Sequence, residues 1–125
     1  MRGEEYLTKP QQYALVYAKG GSWTSSLVVV RALPNSLTFP RYGFSVSKRV
    51  GKAVARNRVK RLLREISREM PLKSGWDIIF IARPAAAGAG YNSLKKSIGS
   101  LLFRAGLLVS DEEGALPAVT IGEGA

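Results

Sequence analysis

Residues 41–68 carry ten basic side chains, Arg41, Lys48, Arg49, Lys52, Arg56, Arg58, Lys60, Arg61, Arg64 and Arg68, against one acid, Glu65. Guanidinium and ammonium groups at that density neutralise phosphates and release their counterions. The plain alternative is a solvated helix face, but such faces alternate in sign. A run with a single acid repels itself unless a polyanion lies against it. Groups for covalent or metal chemistry are scarce by comparison. The chain has no His and no Cys, which removes disulfides, thiolate chemistry, the usual zinc sites and every Ser-His or Cys-His nucleophile. Of nine acids, Glu4 and Glu5 stand at the extreme N-terminus and Asp111, Glu112, Glu113 and Glu123 near the C-terminus, leaving Glu65, Glu69 and Asp77 inside. Two-metal phosphodiester hydrolysis needs clustered carboxylates holding ions about 4 Å apart, and a metal-free route usually calls on His. Three scattered carboxylates supply neither. Glu65, four residues after Arg61 and three before Arg68, reads as a helix-surface ion pair.

The elements that must position the basic run belong to one domain. A chain of 125 residues that is 46% hydrophobic can bury a core, yet its net charge of +10 calls for a polyanionic partner. No stretch approaches the roughly 20 apolar residues of a membrane span, and the N-terminus lacks an apolar signal core, so the expected address is the cytoplasm. Residues 1–108 are expected to fold. Residues 109–125, rich in acids, Gly, Ala and Pro, are expected to be a disordered tail, since their composition cannot offset the entropy of ordering.

Thr8, Lys9, Pro10 and Gln11 have the form of a capping box, and Gly20 with Gly21 supplies a stop, predicting a helix over 9–19. The apolar run 27–33 is β-branched and suits a strand. Over 41–47 the chain alternates: Tyr42, Phe44 and Val46 point to a core, while Arg41, Gly43, Ser45 and Ser47 form a small polar face with room for a partner to lie flat. The informative helix spans 53–70. Val59, Leu62, Leu63, Ile66 and Met70 make its apolar stripe. At about 100° per residue, Asn57, Arg61, Arg64 and Arg68 fall almost opposite that stripe. Pro71 closes the helix, residues 77–83 read as a central strand, and Asn92 or Ser93 is expected to cap a last helix. Leu94, Ile98, Leu101, Leu102, Ala105 and Leu108 would be its buried stripe.

With these elements in place, a longer pattern becomes legible. The segment RYGFSVSKRVGKAVARNRVKRLLREISR, followed by DIIFIARPAA, resembles the signature of the bacterial ribonuclease P protein subunit family. Upstream, LTKPQQYALVYAKG and the apolar strand also fit, so the likeness covers residues 7–108. Its centre is the basic-Asn-basic motif Arg56, Asn57, Arg58, followed by Lys60, Arg61 and Arg64. The resemblance implies an α+β fold, an α-β sandwich similar to a domain of ribosomal proteins. It would have a mixed four-stranded sheet, about three helices and a left-handed βαβ crossover, where general topology favours a right-handed one. It also implies a partner, the catalytic ribonuclease P RNA, and a substrate, precursor tRNA, from which the holoenzyme removes the 5′ leader. The cofactor implied is Mg²⁺, bound mainly by the RNA, with neither DNA nor a membrane involved.

Carried over by position, the resemblance implies RNA-subunit contacts at Lys48, Arg49, Lys52, Arg56, Asn57, Arg58, Arg61 and Arg68. It implies a cleft for the single-stranded leader at Tyr13, Tyr17, Arg31, Ser45, Asn57, Lys60 and Arg64. No catalytic residue and no metal ligand is expected on the protein. By themselves Tyr13 and Tyr17, at i and i+4, read as plain core aromatics; stacking on unpaired bases is the role the resemblance adds. Arg31 stands where the family often has an aromatic, and a guanidinium can stack on a base or pair with a phosphate. Glu4 and Glu5 replace a usually basic stretch, so no RNA contact is assigned there. The alternative is a ribosomal-protein-like module that stabilises folded RNA without processing it. A self-sufficient nuclease is disfavoured by the missing carboxylates and histidines, and DNA binding by the lack of a recognition-helix pair.

Overall fold

The computed structural model describes residues 6–109. Glu4, Glu5 and all but the first residue of the expected tail lie outside the described residues. The elements run α1 (Pro10–Lys19), β1 (Gly21–Thr24), β2 (Val28–Pro34), β3 (Arg41–Ser45), α2 (Ala53–Glu69), β4 (Trp76–Ala82) and α3 (Tyr91–Ala105). Short 3₁₀ turns at Lys48–Val50 and Pro84–Gly88 precede α2 and α3 respectively. Among the described residues, no helix is long and apolar enough to cross a membrane.

The strands form one mixed sheet in the order β1-β2-β4-β3. β2 pairs antiparallel with β1 and β4, whereas β3 runs parallel to β4, with Tyr42 opposite Ile78 and Phe44 opposite Phe80. A parallel neighbour requires a crossover, and α2 is that crossover. β4 is central as expected. Its Ile78, Ile79 and Phe80 are all fully buried because helices cover both faces of the sheet. Ile78, Phe80, Val28 and Val30 meet the stripe of α2 (Val59, Leu63, Ile66) and that of α3 (Leu94, Ile98, Leu101, Leu102). On the opposite face Ile79 packs with Val16 of α1 and with Leu7, flanked by Tyr13, Leu33 and Ile81. The result is an α+β sandwich with α1 on one side and α2 and α3 on the other.

Several local expectations move. The start of α1 is held by Gln12, not Gln11: its carboxamide oxygen accepts from the backbone N–H of Thr8 at 2.8 Å and of Lys9 at 3.0 Å. Lys9 is the N-cap and has no side-chain acceptor, so only half a capping box forms. The stop at Gly20 is real, because a Cβ there would lie 2.6 Å from the carbonyl oxygen of Val16 and 2.7 Å from that of Ala32. Gly21 opens β1, a strand the sequence pattern does not announce: GSWT holds a single large apolar residue, and the strand sits at the sheet edge. α3 begins at Tyr91 with Gly90 as N-cap, so neither Asn92 nor Ser93 caps it. It ends at Ala105, where Gly106 turns left-handed at φ 73°, and Leu108 therefore leaves the helical stripe to form a β-bridge with Leu72.

Two polar links tie the layers. The Asp77 carboxylate, almost fully buried, takes two hydrogen bonds from the Arg41 guanidinium, at 2.8 and 2.7 Å, and one from the Asn35 amide at 2.9 Å. Its hydrogen bonds hold the Arg41 pKa above the ordinary value. Arg41 is thus spent inside the sheet and drops out of the phosphate-facing set. Glu69, at the end of α2, accepts from the Tyr91 hydroxyl and, at 3.0 Å, from Lys95, joining α2 to α3.

Candidate nucleic-acid interface

β3 is an edge strand, and its outer rim meets the N-terminal segment through a parallel bridge between Tyr6 and Tyr42 and a 2.7 Å bond from Leu7 N–H to the Tyr42 carbonyl. Around this rim lies a groove of about 220 Å³ lined by Tyr6, Leu7, Tyr13, Tyr42, Phe44, Lys60 and Arg64. Its aromatic wall continues into the core: Tyr6 lies 6.1 Å from Phe44 and Phe44 stacks on Phe80 at 5.8 Å. Opposite stand two cations from α2, with the Arg64 guanidinium 5.8 Å from the Phe44 ring centroid. Rings beside cations match the two parts of a single strand, flat bases and a phosphate backbone.

The small face of β3 does not stay open for a partner. A Cβ on Gly43 would lie 2.8 Å from the Tyr13 ring, so Tyr13 already fills that space from α1. Partial burial raises the Tyr13 pKa, keeping the phenol neutral. Of the residues expected to share the leader cleft, Tyr13, Lys60 and Arg64 converge. Tyr17, Arg31, Ser45 and Asn57 do not line this groove. Arg31 instead lies 5.5 Å from the Tyr17 ring and donates at 2.6 Å to the Tyr17 carbonyl, an internal clasp between β2 and α1. Asn57 is exposed on α2 and Ser45 is half-buried at the end of β3. Tyr6, Tyr42 and Phe44 are groove residues that the sequence reading missed. Period-two aromatics on a strand signal a core face, and only an edge position lets that face also border a groove.

The second surface is the outward side of α2 with the turn before it. Lys48, Arg49 and Lys52 are exposed around a 3₁₀ turn anchored by buried Val50 and by the Ser47 hydroxyl, which accepts from Arg49 N–H at 3.3 Å. They crowd the positive end of the α2 dipole, whose first turn holds no acid, an arrangement that an anion stabilises. Asn57, Arg61 and Arg68 are exposed along the helix. Arg56 is half-buried, and its Nε has no hydrogen-bond partner among the described residues. Arg58 differs from expectation: its guanidinium donates to the carbonyls of Ala89 at 2.9 Å and Ala87 at 3.4 Å, binding α2 to the Pro84–Gly88 turn. Among the described residues no three carboxylates converge. Two of the three described acids, Asp77 and Glu69, are engaged by Arg41 and Asn35 and by Tyr91 and Lys95 respectively.

Sandwich, groove and basic helix define a small α+β protein of the RNA-binding class. A family model described as Ribonuclease P matches residues 1–106. The ribonuclease P protein component of Dehalococcoides mccartyi (strain CBDB1) is 44% identical over 113 residues, covering 90% of this chain and 94% of the relative. That of Thermoanaerobacter sp. (strain X514) is 39% identical over 109 residues, covering 86% of this chain and 94% of the relative. The solved RNase P protein of Staphylococcus aureus superposes with a TM-score of 0.77 at 30% identity, covering 86% of this chain and all of that one. The protein from Thermotoga maritima gives a TM-score of 0.74 at 28% identity, covering 81% and 97%. The chain belongs to the ribonuclease P protein family, and its role is that of the enzyme's protein subunit in tRNA processing.

Proposed function

We propose that the chain binds the catalytic RNA of ribonuclease P through the outward side of α2 and the Lys48–Val50 turn, and takes the single-stranded 5′ leader of precursor tRNA in the β3-edge groove. The observation that carries this reading is the division of labour on one helix. Lys60 and Arg64 border the aromatic groove, while Asn57, Arg61 and Arg68 are exposed along the same rod. A polyanion along α2 and a second strand in the groove are thereby held in fixed relation, which is positioning rather than bond-breaking. The protein also lowers the repulsion between the two RNAs. We assign the cleavage chemistry to the RNA and its Mg²⁺, because the described residues offer neither a carboxylate cluster nor a histidine. The cytoplasm, where tRNA precursors are made, is the compartment this reading requires.

The test is reconstitution. The purified chain, added to a bacterial ribonuclease P RNA at low Mg²⁺, is expected to restore release of the 5′ leader from precursor tRNA. Cleavage by the protein alone would overturn the assignment of chemistry to RNA, and binding without restored processing would favour the structural RNA module.

A further inference from the structure

The side of α3 turned away from the sheet carries cations and an aromatic ring that neither the groove nor the α2 surface uses. Leu94, Ile98, Leu101 and Leu102 form the fully buried stripe of this helix. At about 100° per residue, Asn92, Lys96, Ser100 and Phe103 fall on the opposite side, with Gly99 beside them. Phe103 is 73% exposed, the most exposed aromatic among the described residues, and Lys96, Ser100 and Arg104 around it are exposed too. α3 holds no acid, and among the described residues neither Lys96 nor Arg104 makes an ion pair, whereas Lys95 on the flank is engaged by Glu69 at 3.0 Å. Gly99 sits in the middle of the helix, where glycine is among the least favourable residues. Packing inside the fold does not demand it, because a Cβ there would meet only the Met70 Cε, at an ordinary 3.7 Å. Bare helix backbone next to an exposed ring is a place where a flat group can come close.

The placement of α3 selects the occupant. α2 packs against β3, whereas α3 packs over β2 and β1, the other half of the sheet. α2 therefore stands between α3 and the β3-edge groove, and the two helices turn their outward sides away from the same face of the sheet. A second copy of this chain is a poor occupant, since its own α3 would bring the same cations and no acid. We propose that this side of α3 is a further contact for the catalytic RNA, taking an unpaired base on the Phe103 ring beside Gly99, with Lys96 and Arg104 against the flanking phosphates. Loops and bulges are what such a surface takes, because a paired base cannot offer its face to the ring. The choice of the catalytic RNA as occupant rests on the reading that it lies along α2; the stacking site itself does not.

The test uses the full-length chain and a bacterial ribonuclease P RNA at low Mg²⁺. Phe103→Ala is expected to weaken binding by at least about fivefold, the lower end of one base's stacking, with an unchanged melting temperature. Gly99→Ala is expected to raise the melting temperature while weakening binding, because the helix gains propensity as the close approach is lost. A merely structural role would move both quantities the same way. Unchanged affinity in both variants overturns the inference, as does a loss of affinity accompanied in both by a lower melting temperature. Because the chain lacks Cys, Ser100→Cys carries a single photo-crosslinker, and in the holoenzyme with precursor tRNA bound its adducts are expected on unpaired nucleotides of the catalytic RNA. Adducts on the leader or on a second copy of the chain instead overturn the choice of occupant. If the α3 variants weaken binding while Arg61→Ala does not, the α3 surface stands and the α2 reading fails.

Discussion

The Arg64 guanidinium lies 5.8 Å from the centroid of the Phe44 ring, so a cation of the crossover helix covers an aromatic of the edge strand that its crossover began from. This contact joins the two surfaces. Arg64 is half-buried by it, which fixes the direction of the charge, whereas Arg61 one turn away is exposed.

Arg61→Ala and Arg64→Ala are each expected to flatten the salt dependence of RNA binding, by about 0.7 to 0.9 in the log-log slope for each phosphate that is no longer neutralised. Titrations at several salt concentrations measure this directly. Arg64→Ala should in addition weaken precursor tRNA more than mature tRNA, since Arg64 also borders the groove. A slope that neither substitution changes removes both residues from the interface.

Gly43→Ala is expected to drive the Tyr13 ring from its seat, given the 2.8 Å approach of the added methyl. Affinity for leader-bearing tRNA should fall while that for mature tRNA holds. Combining Gly43→Ala with Tyr13→Ala removes the clash, so the stability losses should be strongly non-additive in a double-mutant cycle. Simple additivity would show that the two residues do not meet in solution.

Arg58→Ala is expected to act on the fold. Losing its bonds to the carbonyls of Ala87 and Ala89 should cost about 1–3 kcal/mol in a urea melt, with the salt slope of RNA binding unchanged. A changed slope with unchanged stability would make Arg58 an RNA-binding residue like Arg61.

Glu69 has a pKa below the ordinary carboxylate value, held there first by the Tyr91 hydroxyl and then by Lys95. A lowered folded pKa means that its contribution to stability is present above the ordinary value and is lost as pH falls through the folded one. Tyr91→Phe and Lys95→Met should each move the titration up toward the ordinary value, the first by more. Carboxyl NMR titration reads this, and a midpoint unmoved by both substitutions would show that the α2–α3 link does not form.

The helices and central strands were legible because their apolar periods are long. Val59, Leu62, Leu63 and Ile66 at helical spacing, and DIIFIA as an unbroken run, leave little choice of partner. The α+β class, three helices and a mixed four-stranded sheet came out as expected, but β1 stayed hidden because a short edge strand needs almost no apolar residue. Likeness of position to the family groups Tyr17, Arg31, Ser45 and Asn57 with Tyr13, Lys60 and Arg64 in one cleft, but only the last three line the β3-edge groove. Arg31 instead turns onto Tyr17, a choice set by which neighbour its strand register supplies.

By itself the sequence determined which surface is cationic, through residue identity and helical period, and it determined that His and Cys chemistry is absent. Only the tertiary structure decided which cations remain available. Arg41 and Arg58 are as charged as Arg61, but a carboxylate and two carbonyls, distant in sequence, satisfy their donors. The groove likewise exists only because β3 lands at the sheet edge, where the faces meet and Tyr13 and Arg64 can border one strand from opposite sides. Local periodicity records which side of an element is apolar; it holds no record of what the chain brings back against it.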